Sequence, residues 1–160
     1  MAITRRMAFV LSFTTVYLLT WAQPARGAAP PGRYIVSTDT VVDAQTRLVW
    51  QRPVGNGGGY YNWSQAESYC QTLSLGGFSS GWRLPTRKEL QSIVDYTTTH
   101  PAIDSNAFPG LTAGYFWSSS PYVYFAGYYW VIDFDSGGNF GAAGYTVGGG
   151  LNNNQVRCVR

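Results

Sequence analysis

The stretch "GWRLPTRKEL", residues 81–90, decides how the middle of the chain folds. Pro85 disfavours helix at the residue before it, so "GWRL" is held extended. Thr86 and Glu89 have the spacing of a capping box, in which each side chain satisfies a free backbone N–H at a helix start. The stretch therefore predicts an extended segment that turns directly into a helix. The buried stripe of that helix is predicted at Leu90, Ile93 and Val94.

The same stretch carries three cations, for which two interpretations remain open. Arg83, Arg87 and Lys88 could bind an anion at the helix start, where free backbone N–H groups collect. Alternatively they are solvated charges that Glu89 partly neutralises. Because every residue type in the stretch also has a local structural role, we interpret it as a structural joint.

A second helix is predicted upstream, in "NWSQAESYCQTLSLGG", residues 62–77. Ser64 and Glu67 have the spacing of a capping box at its start, and Gly76 and Gly77 end it. One face at i, i+3, i+4, i+7 spacing is formed by Ala66, Tyr69, Cys70 and Leu73. Cys70 is therefore expected to point into the core.

Residues 1–27 have the layout of a secretory signal peptide. Arg5 and Arg6 precede an uncharged run, residues 7–21, which small residues follow. We expect cleavage after Gly27, with cleavage after Ala22 as the alternative. An uncleaved anchor is the other interpretation, but the run is shorter than the roughly 20 residues of a spanning helix. The prediction is a secreted or periplasmic protein with a linker at residues 28–33 and one domain at residues 34–160.

Removal of the signal peptide changes the charge balance. The full chain has a formal net charge of +3. Three of its arginines, Arg5, Arg6 and Arg26, lie within residues 1–27. The processed chain is then neutral overall and lacks the basic footprint that nucleic-acid binding needs. No second apolar stretch is long enough to span a membrane, so we expect neither a nucleic-acid nor a membrane partner.

The chain has two cysteines, Cys70 and Cys158. In an oxidising compartment an even pair usually forms a disulfide, and closing so long a loop stabilises a fold by about 4 kcal/mol. The alternative is a reactive or metal-binding pair. Against that alternative, the chain has no CxxC spacing, and its single histidine is His100.

Short strands are predicted on both sides of the helices. The first group is Tyr34–Val36, Thr40–Val42 and Arg47–Trp50, followed by a flexible "GNGGG" loop, residues 55–59. The later strands are predicted in "GYFWSSS" (114–120), "YYWVIDF" (128–134), "NFGAAGYTV" (139–147) and "QVRCVR" (155–160). "DSGGN", residues 135–139, is a turn and "GGGLNNN", residues 148–154, a loop. Two helices with several short strands predict an α+β domain with one sheet packed on the helices.

Seven motifs occur in the order seen in one known family. They are "VVDAQTRLVWQR", "NWSQAESYC", "WRLPTRKELQSIVD", "FP", "FWSSSPY", "YYWVIDFDSG" and "VRCVR". The chain thereby resembles the C-terminal domain of the collagen-like adhesin Lcl, and it is similar to formylglycine-generating and sulfatase-modifying domains. The resemblance implies a C-type lectin-like fold: two helices on a twisted, mainly antiparallel sheet, termini close together, and a disulfide from the first helix to the last strand.

We expect no catalysis and no cofactor. Formylglycine-generating enzymes use a reactive cysteine pair that binds copper, and Cys70 does not match it because it lies on the first predicted helix. His100 lies in a predicted loop without an evident partner, so no nucleophile–base pair is evident.

We also expect no metal. The calcium-site triplets of sugar-binding C-type lectins, Glu-Pro-Asn, Gln-Pro-Asp and Trp-Asn-Asp, do not occur in the chain. Asp133, Asp135, Gly137 and Asn139 loosely match a calcium loop, but the later glutamate is missing and the pattern is ordinary turn chemistry.

The segment from Tyr115 to Asn154 is rich in Tyr, Ser, Gly and Asn, the residue types of adaptable recognition surfaces. The alternative is that about half of its aromatic side chains fill the core. Alternation assigns Tyr128, Trp130, Ile132 and Phe134 to a core face, and Tyr129, Val131 and Asp133 to the other. The candidate ligand-binding residues are Tyr122, Tyr124, Tyr129, Tyr145, Asn152, Asn153 and Asn154.

The expected ligand is a carbohydrate or a protein. Resemblance to adhesins implies polysaccharides, sometimes sulfated, but the aromatic segment has no Lys or Arg before Arg157, so a neutral sugar or a protein fits better. Two alternatives remain. The domain could be a structural envelope protein whose aromatic patch forms a homo-oligomer, or a target of a diversity-generating retroelement, for which "YFAGYYW" and "GGGLNNNQVR" are suitable segments.

Overall fold

The computed structural model describes residues 29–111, 114–143 and 154–160. The predicted signal peptide lies outside these residues. Within the described part, no helix is both long and apolar enough to cross a membrane.

The first sheet contains three antiparallel strands in the order β1-β2-β3. They are β1 (Tyr34–Val36), β2 (Thr40–Asp43) and β3 (Val49–Gln51), which confirms the three predicted strands to within two residues. The carboxylate of Asp43, at the end of β2, accepts the backbone N–H of Gln45 at 3.0 Å and so shapes the turn into β3.

Two short helices follow, α1 (Trp63–Thr72) and α2 (Arg87–Ser92). The capping box of Thr86 and Glu89 at α2 is confirmed. At α1 the prediction was wrong, because the N-cap is Asn62 and its box partner is Gln65. Both residue pairs have the spacing of a capping box. The helix that starts at Trp63 places its indole N–H 2.9 Å from the carbonyl of Ser118, to which it donates.

The predicted "GNGGG" loop instead forms a single 3-10 turn, Gly55–Gly58. The backbone N–H of Gly55 donates to the carbonyl of Val156 at 3.0 Å. A Cβ atom at position 55 would lie 2.5 Å from a methyl group of Val156. Glycine is therefore required at this position, because the C-terminal segment passes directly over the turn.

The second sheet is also antiparallel, in the order β4-β5-β6. Its strands are β4 (Tyr115–Pro121), β5 (Tyr128–Asp133) and β6 (Asn139–Ala143). The predicted "DSGGN" turn joins β5 to β6. Asp133 stabilises this turn by accepting the N–H of Asp135 at 2.9 Å and the hydroxyl of Ser136 at 2.7 Å.

The α+β class is confirmed, but the single predicted sheet is two three-stranded sheets. The predicted final strand "QVRCVR" is also wrong as a strand. Its residues form isolated bridges, with Val159 opposite both Trp50 and Arg83, and Gln155 opposite Phe116. Because each bridge reaches a different segment, these residues connect the first sheet, the joint and the second sheet without extending any one ladder.

The core has two clusters on opposite sides of β5. The first includes Trp50, Leu90, Phe108, Ile132 and Phe134, and the second includes Ala66, Cys70, Trp117, Val131 and Cys158. Ile132 and Val131 are consecutive and both buried. The prediction of one buried face on β5 was therefore wrong, since α1 and the C-terminal segment cover the other face.

The Cys70–Cys158 disulfide is confirmed, with Cα atoms 5.5 Å apart. It lies in the second cluster and joins α1 to the C-terminal segment.

Candidate functional site

The loop between β4 and β5 presents a group of large apolar side chains to solvent. Exposed fractions are 80% for Val123, 75% for Tyr124, 60% for Phe125 and 38% for Tyr128. We call this group, together with the half-buried rings beneath it, the aromatic tip: Tyr122, Val123, Tyr124, Phe125, Tyr128 and Trp130.

Backbone hydrogen bonds close the loop of the tip. The N–H of Tyr122 donates to the carbonyl of Tyr128 at 2.8 Å, and the N–H of Phe125 donates to the carbonyl of Tyr122 at 3.2 Å. The turn therefore folds back on itself and directs neighbouring side chains outward together.

Ring contacts order the side chains of the tip around Tyr122. Its ring centroid lies 4.8 Å from that of Trp130, 5.4 Å from that of Tyr124 and 6.1 Å from that of Phe125. The pairs with Trp130 and Tyr124 are edge-to-face, the arrangement that aromatic quadrupoles favour. The tip is thus preorganised by its own packing.

The structural joint, residues 81–90, contacts the half-buried side of the tip. The guanidinium carbon of Arg87 lies 4.2 Å from the ring centroid of Trp130, a cation–π contact. The N–H of Arg87 donates to the hydroxyl of Ser120 at 3.0 Å, and the N–H of Ser119 donates to the carbonyl of Pro85 at 2.8 Å. Sequence reasoning missed the contact of Arg87 with the tip, because nothing local relates α2 to β5.

The other charges of the joint also have partners. Arg83 donates both terminal nitrogens to the carboxylate of Glu89, at 2.8 and 2.7 Å. This pairing lowers the pKa of Glu89 and raises that of Arg83. Lys88 remains exposed. Since Arg83 and Arg87 are engaged within the domain, the interpretation of the stretch as a structural joint fits better than an anion site.

Two of the predicted ligand-binding residues, Tyr122 and Tyr124, meet at the aromatic tip. Tyr129 does not. Its ring stacks on that of Trp63 with centroids 3.7 Å apart and planes 11° apart, and it packs on the second core cluster. The prediction that Tyr129 is exposed was wrong, because α1 lies over its face of β5.

Asn154 was also predicted to be exposed and is instead buried, with 6% of its surface accessible. Its N–H donates to the carbonyl of Tyr61 at 2.9 Å, and the N–H of Tyr61 donates back at 3.0 Å. The other predicted site residues, Tyr145, Asn152 and Asn153, lie outside the described residues.

Sequence reasoning missed four members of the tip, namely Val123, Phe125, Tyr128 and Trp130. Tyr128 and Trp130 were assigned to the core by alternation, but burial changes along β5. Side chains at its first three positions are exposed or half-buried, and those at its last three are buried. The useful signal was position within the strand, since the start of β5 adjoins the exposed loop.

His100 has a partner, contrary to the prediction. Its Nδ1 lies 2.5 Å from Oδ1 of Asp135, and its N–H donates to the carbonyl of Asp135 at 2.9 Å. The contact ties the loop after α2 to the β5–β6 turn. Across the described residues, no group of three or more His, Cys, Asp and Glu side chains lies close enough to hold a metal ion.

Comparison with known proteins relates the chain to one family. No curated protein sequence matches it. The family model of the Lcl C-terminal domain matches residues 39–160, which include every strand except β1, both helices and the aromatic tip. The chain therefore belongs to the Lcl C-terminal domain family.

Proposed function

We propose that this protein is an exported, non-catalytic binding module that recognises a carbohydrate or protein ligand through its aromatic tip. The observation that carries the proposal is the exposure of Val123, Tyr124 and Phe125 side by side on a hydrogen-bonded loop. Contiguous exposed apolar groups of this kind mark interaction sites on soluble domains.

The construction of the tip supports recognition. Aromatic side chains offer large contact area for few rotatable bonds, so little entropy is lost when they bind. Tyr122 and Trp130 are already packed beneath the exposed rings, and Arg87 covers Trp130. A ligand would then meet a surface that needs little rearrangement.

The charge of the tip supports a neutral ligand. The chain carries no charged residue from Ser105 to Ile132, which includes all of the tip. One cation contacts the tip: the guanidinium of Arg87 lies over the ring of Trp130. Tyrosine hydroxyls and the nearby serines remain as polar groups suited to sugar hydroxyls or peptide groups.

The absence of catalysis is supported by the fact that the cysteine and histidine side chains already have partners within the domain. Both cysteines are consumed by the disulfide, and His100 is engaged with Asp135 on the surface. Export is supported by the same disulfide, because such bonds persist in oxidising compartments. A C-type lectin-like arrangement is supported by the link from α1 to the C-terminal segment and by the pairing of that segment with β3.

The test is binding of the processed protein to a broad glycan array, with matched variants. Tyr124→Ala and Phe125→Ala each remove one ring of the tip, and Tyr60→Ala removes a ring elsewhere that is exposed to 59%, about as much as Phe125. We expect selective binding that falls at least tenfold in both tip variants and is unchanged in Tyr60→Ala, with calcium or with EDTA. Equal loss in all three variants, or none in the tip variants, would refute the tip as the site.

A second candidate function is self-association, favoured by one observation. Val123 and Phe125 offer no hydrogen-bonding group, which suits an apolar protein contact better than a sugar. Light scattering across a hundredfold concentration range tests it. A dimer that dissociates in Phe125→Ser but not in Tyr60→Ala would support an oligomer interface, whereas a monomer at every concentration would exclude it.

A further inference from the structure

A surface cavity of about 480 Å³ borders the C-terminal end of α2, whereas Arg87, which contacts the aromatic tip, is the first residue of this helix. We call it the Tyr34 cavity. A cavity of this size with a mainly apolar and aromatic lining is typical of a binding site for a small molecule. The apolar part of the lining is formed by Pro30, Pro31, Tyr34, Ile93, Val94 and Tyr96.

Tyr96 forms one wall of the cavity and is 69% exposed, yet its ring packs on the β5–β6 turn. A Cβ atom at position 137 would lie 3.2 Å from Cε1 of Tyr96, so the ring rests directly on the backbone of Gly137. Glycine is also favoured there by its φ of 80°. An exposed ring that is already positioned loses little entropy when a ligand binds to it.

Tyr34 provides a second positioned ring. Its centroid lies 5.2 Å from that of Phe108 in an edge-to-face contact, and the guanidinium carbon of Arg33 lies 4.7 Å from the same centroid. The cavity therefore offers two ordered aromatic rings, which suit the apolar face of a cyclic ligand.

The charged groups of the lining are engaged within the domain. Arg33 pairs with Asp43 at 3.1 Å. The carboxylate of Asp104 accepts three backbone N–H groups, at 2.9, 2.9 and 3.2 Å. Oδ1 of Asp95 accepts the N–H and the hydroxyl of Thr97, at 2.8 and 2.6 Å. Since these charges already have partners, the cavity favours a neutral ligand over an ion.

Two polar atoms of the lining have no hydrogen-bond partner among the described residues, the hydroxyl of Tyr34 and Oδ2 of Asp95. Burial raises the pKa of Tyr34, Arg33 lowers it, and carboxylates that include Asp104 and Asp95 raise it further. The hydroxyl of Tyr34 therefore stays protonated and lies near these carboxylates. A tyrosine hydroxyl donates and accepts, whereas a carboxylate oxygen only accepts, so the pair matches a ligand hydroxyl, which can do both.

We propose that the Tyr34 cavity is a second ligand-binding site, which takes a neutral sugar ring against Tyr34 and Tyr96 and binds its hydroxyl groups through Tyr34 and Asp95. A pyranose ring combines an apolar C–H face with several hydroxyl groups, so it matches both the aromatic rings and the polar pair. A proline or phenylalanine side chain of a peptide would fill the apolar part only. The proposal does not depend on what the aromatic tip binds.

The test is NMR titration of the nitrogen-15-labelled processed protein with free glucose, galactose, mannose and N-acetylglucosamine. Free proline and phenol serve as comparison probes that carry a ring without the hydroxyl groups of a sugar. We expect at least one sugar to bind with millimolar affinity and to shift the amide signals of residues 93–97, which line the cavity. The proposal would be overturned if no sugar bound, or if only proline or phenol did.

Matched variants locate the bound sugar. Tyr96→Ala removes an exposed wall of the cavity and should weaken binding about tenfold. Tyr34→Phe keeps the ring and its contact with Phe108 but removes the hydroxyl, and should weaken binding about fivefold. Tyr60→Ala, an exposed ring outside the cavity lining, should change nothing. Loss of sugar binding in Tyr124→Ala with none in Tyr96→Ala would refute the cavity as a site and support binding at the tip.

Discussion

Tyr124 and Tyr129 are the same residue type, five positions apart, and have opposite surroundings. Tyr124 is 75% exposed at the tip, while Tyr129 is half-buried against Trp63. The indole of Trp63 is itself fixed by its bond to the Ser118 carbonyl. At the scale of single residues, Tyr124 is available to a ligand and Tyr129 belongs to the contact between α1 and β5.

The two tyrosines should therefore respond differently to truncation. We expect Tyr129→Ala to lower the free energy of unfolding by about 2 kcal/mol, because a stacked, half-buried ring is lost. Tyr124→Ala should change it by less than about 0.5 kcal/mol, as exposed substitutions usually do. Urea denaturation of both variants measures this, and equal effects would contradict the assignment.

Arg157 shows another property of single residues that only the structure reveals. It is fully buried, and its Nη1 donates to the carbonyls of Gln51 and Arg52. Its guanidinium carbon lies 4.9 Å from the ring centroid of Phe108. Burial lowers the pKa of Arg157. Carbonyl dipoles and an aromatic face offset only part of the cost of the buried charge, because Nε and Nη2 of Arg157 have no hydrogen-bond partner within the described residues.

Among the elements, α2 is held by several hydrogen bonds between its first turn and the joint that precedes it. Glu89 accepts the N–H of Thr86 at 2.7 Å and also binds Arg83. Thr86 accepts the N–H of Glu89 in return, at 3.2 Å. A helix of six residues is too short to be stable alone, so this cap and the tip packed above it hold α2 in place.

Substitutions at the cap should separate its charge from its hydrogen bonds. The Arg83 bond lowers the pKa of Glu89, so its contribution is present above about pH 4.3 and disappears as the pH falls through the folded value. Glu89→Gln keeps the capping box but should lose up to about 1 kcal/mol near neutral pH and almost nothing in acid.

Thr86→Ala is the matched variant, since it removes the cap without changing charge. It should cost about 1 kcal/mol at both pH values. Urea denaturation near pH 7 and near pH 3 distinguishes the two variants. A pH-independent loss in Glu89→Gln would show that the ion pair contributes nothing.

At the scale of the whole molecule, the C-terminal segment connects the separate parts. It bridges to β3, to the joint and to β4, and the disulfide fastens it to α1. Its residues 154–159 are all buried. Seven terminal residues, 154–160, therefore join the two sheets to each other and to the joint.

Removing the disulfide should weaken the whole domain cooperatively. The bond closes a loop with a sequence separation of 88 residues, so the Cys70→Ala, Cys158→Ala double variant should lose about 4 kcal/mol of unfolding free energy. Chemical denaturation followed by fluorescence and by circular dichroism should give coincident transitions. Loss confined to one probe would indicate that the bond stabilises only α1 and its contacts.

By itself, the sequence determined the first three strands, the start of α2, the burial of Leu90, Ile93 and Val94, the cysteine pair and the family resemblance. The strands, the helix start and the buried positions depend on hydrogen bonds and periodicities that act within a few residues. The disulfide follows from the number of cysteines and the expected compartment, and the family follows from the order of the motifs. The tertiary structure alone decided that both faces of β5 are covered, that Arg87 supports Trp130, and that Tyr129 and Asn154 are not free. Each of these depends on contacts between segments that are distant in sequence. Burial follows from how those segments pack, so it cannot be read from the neighbouring residues alone.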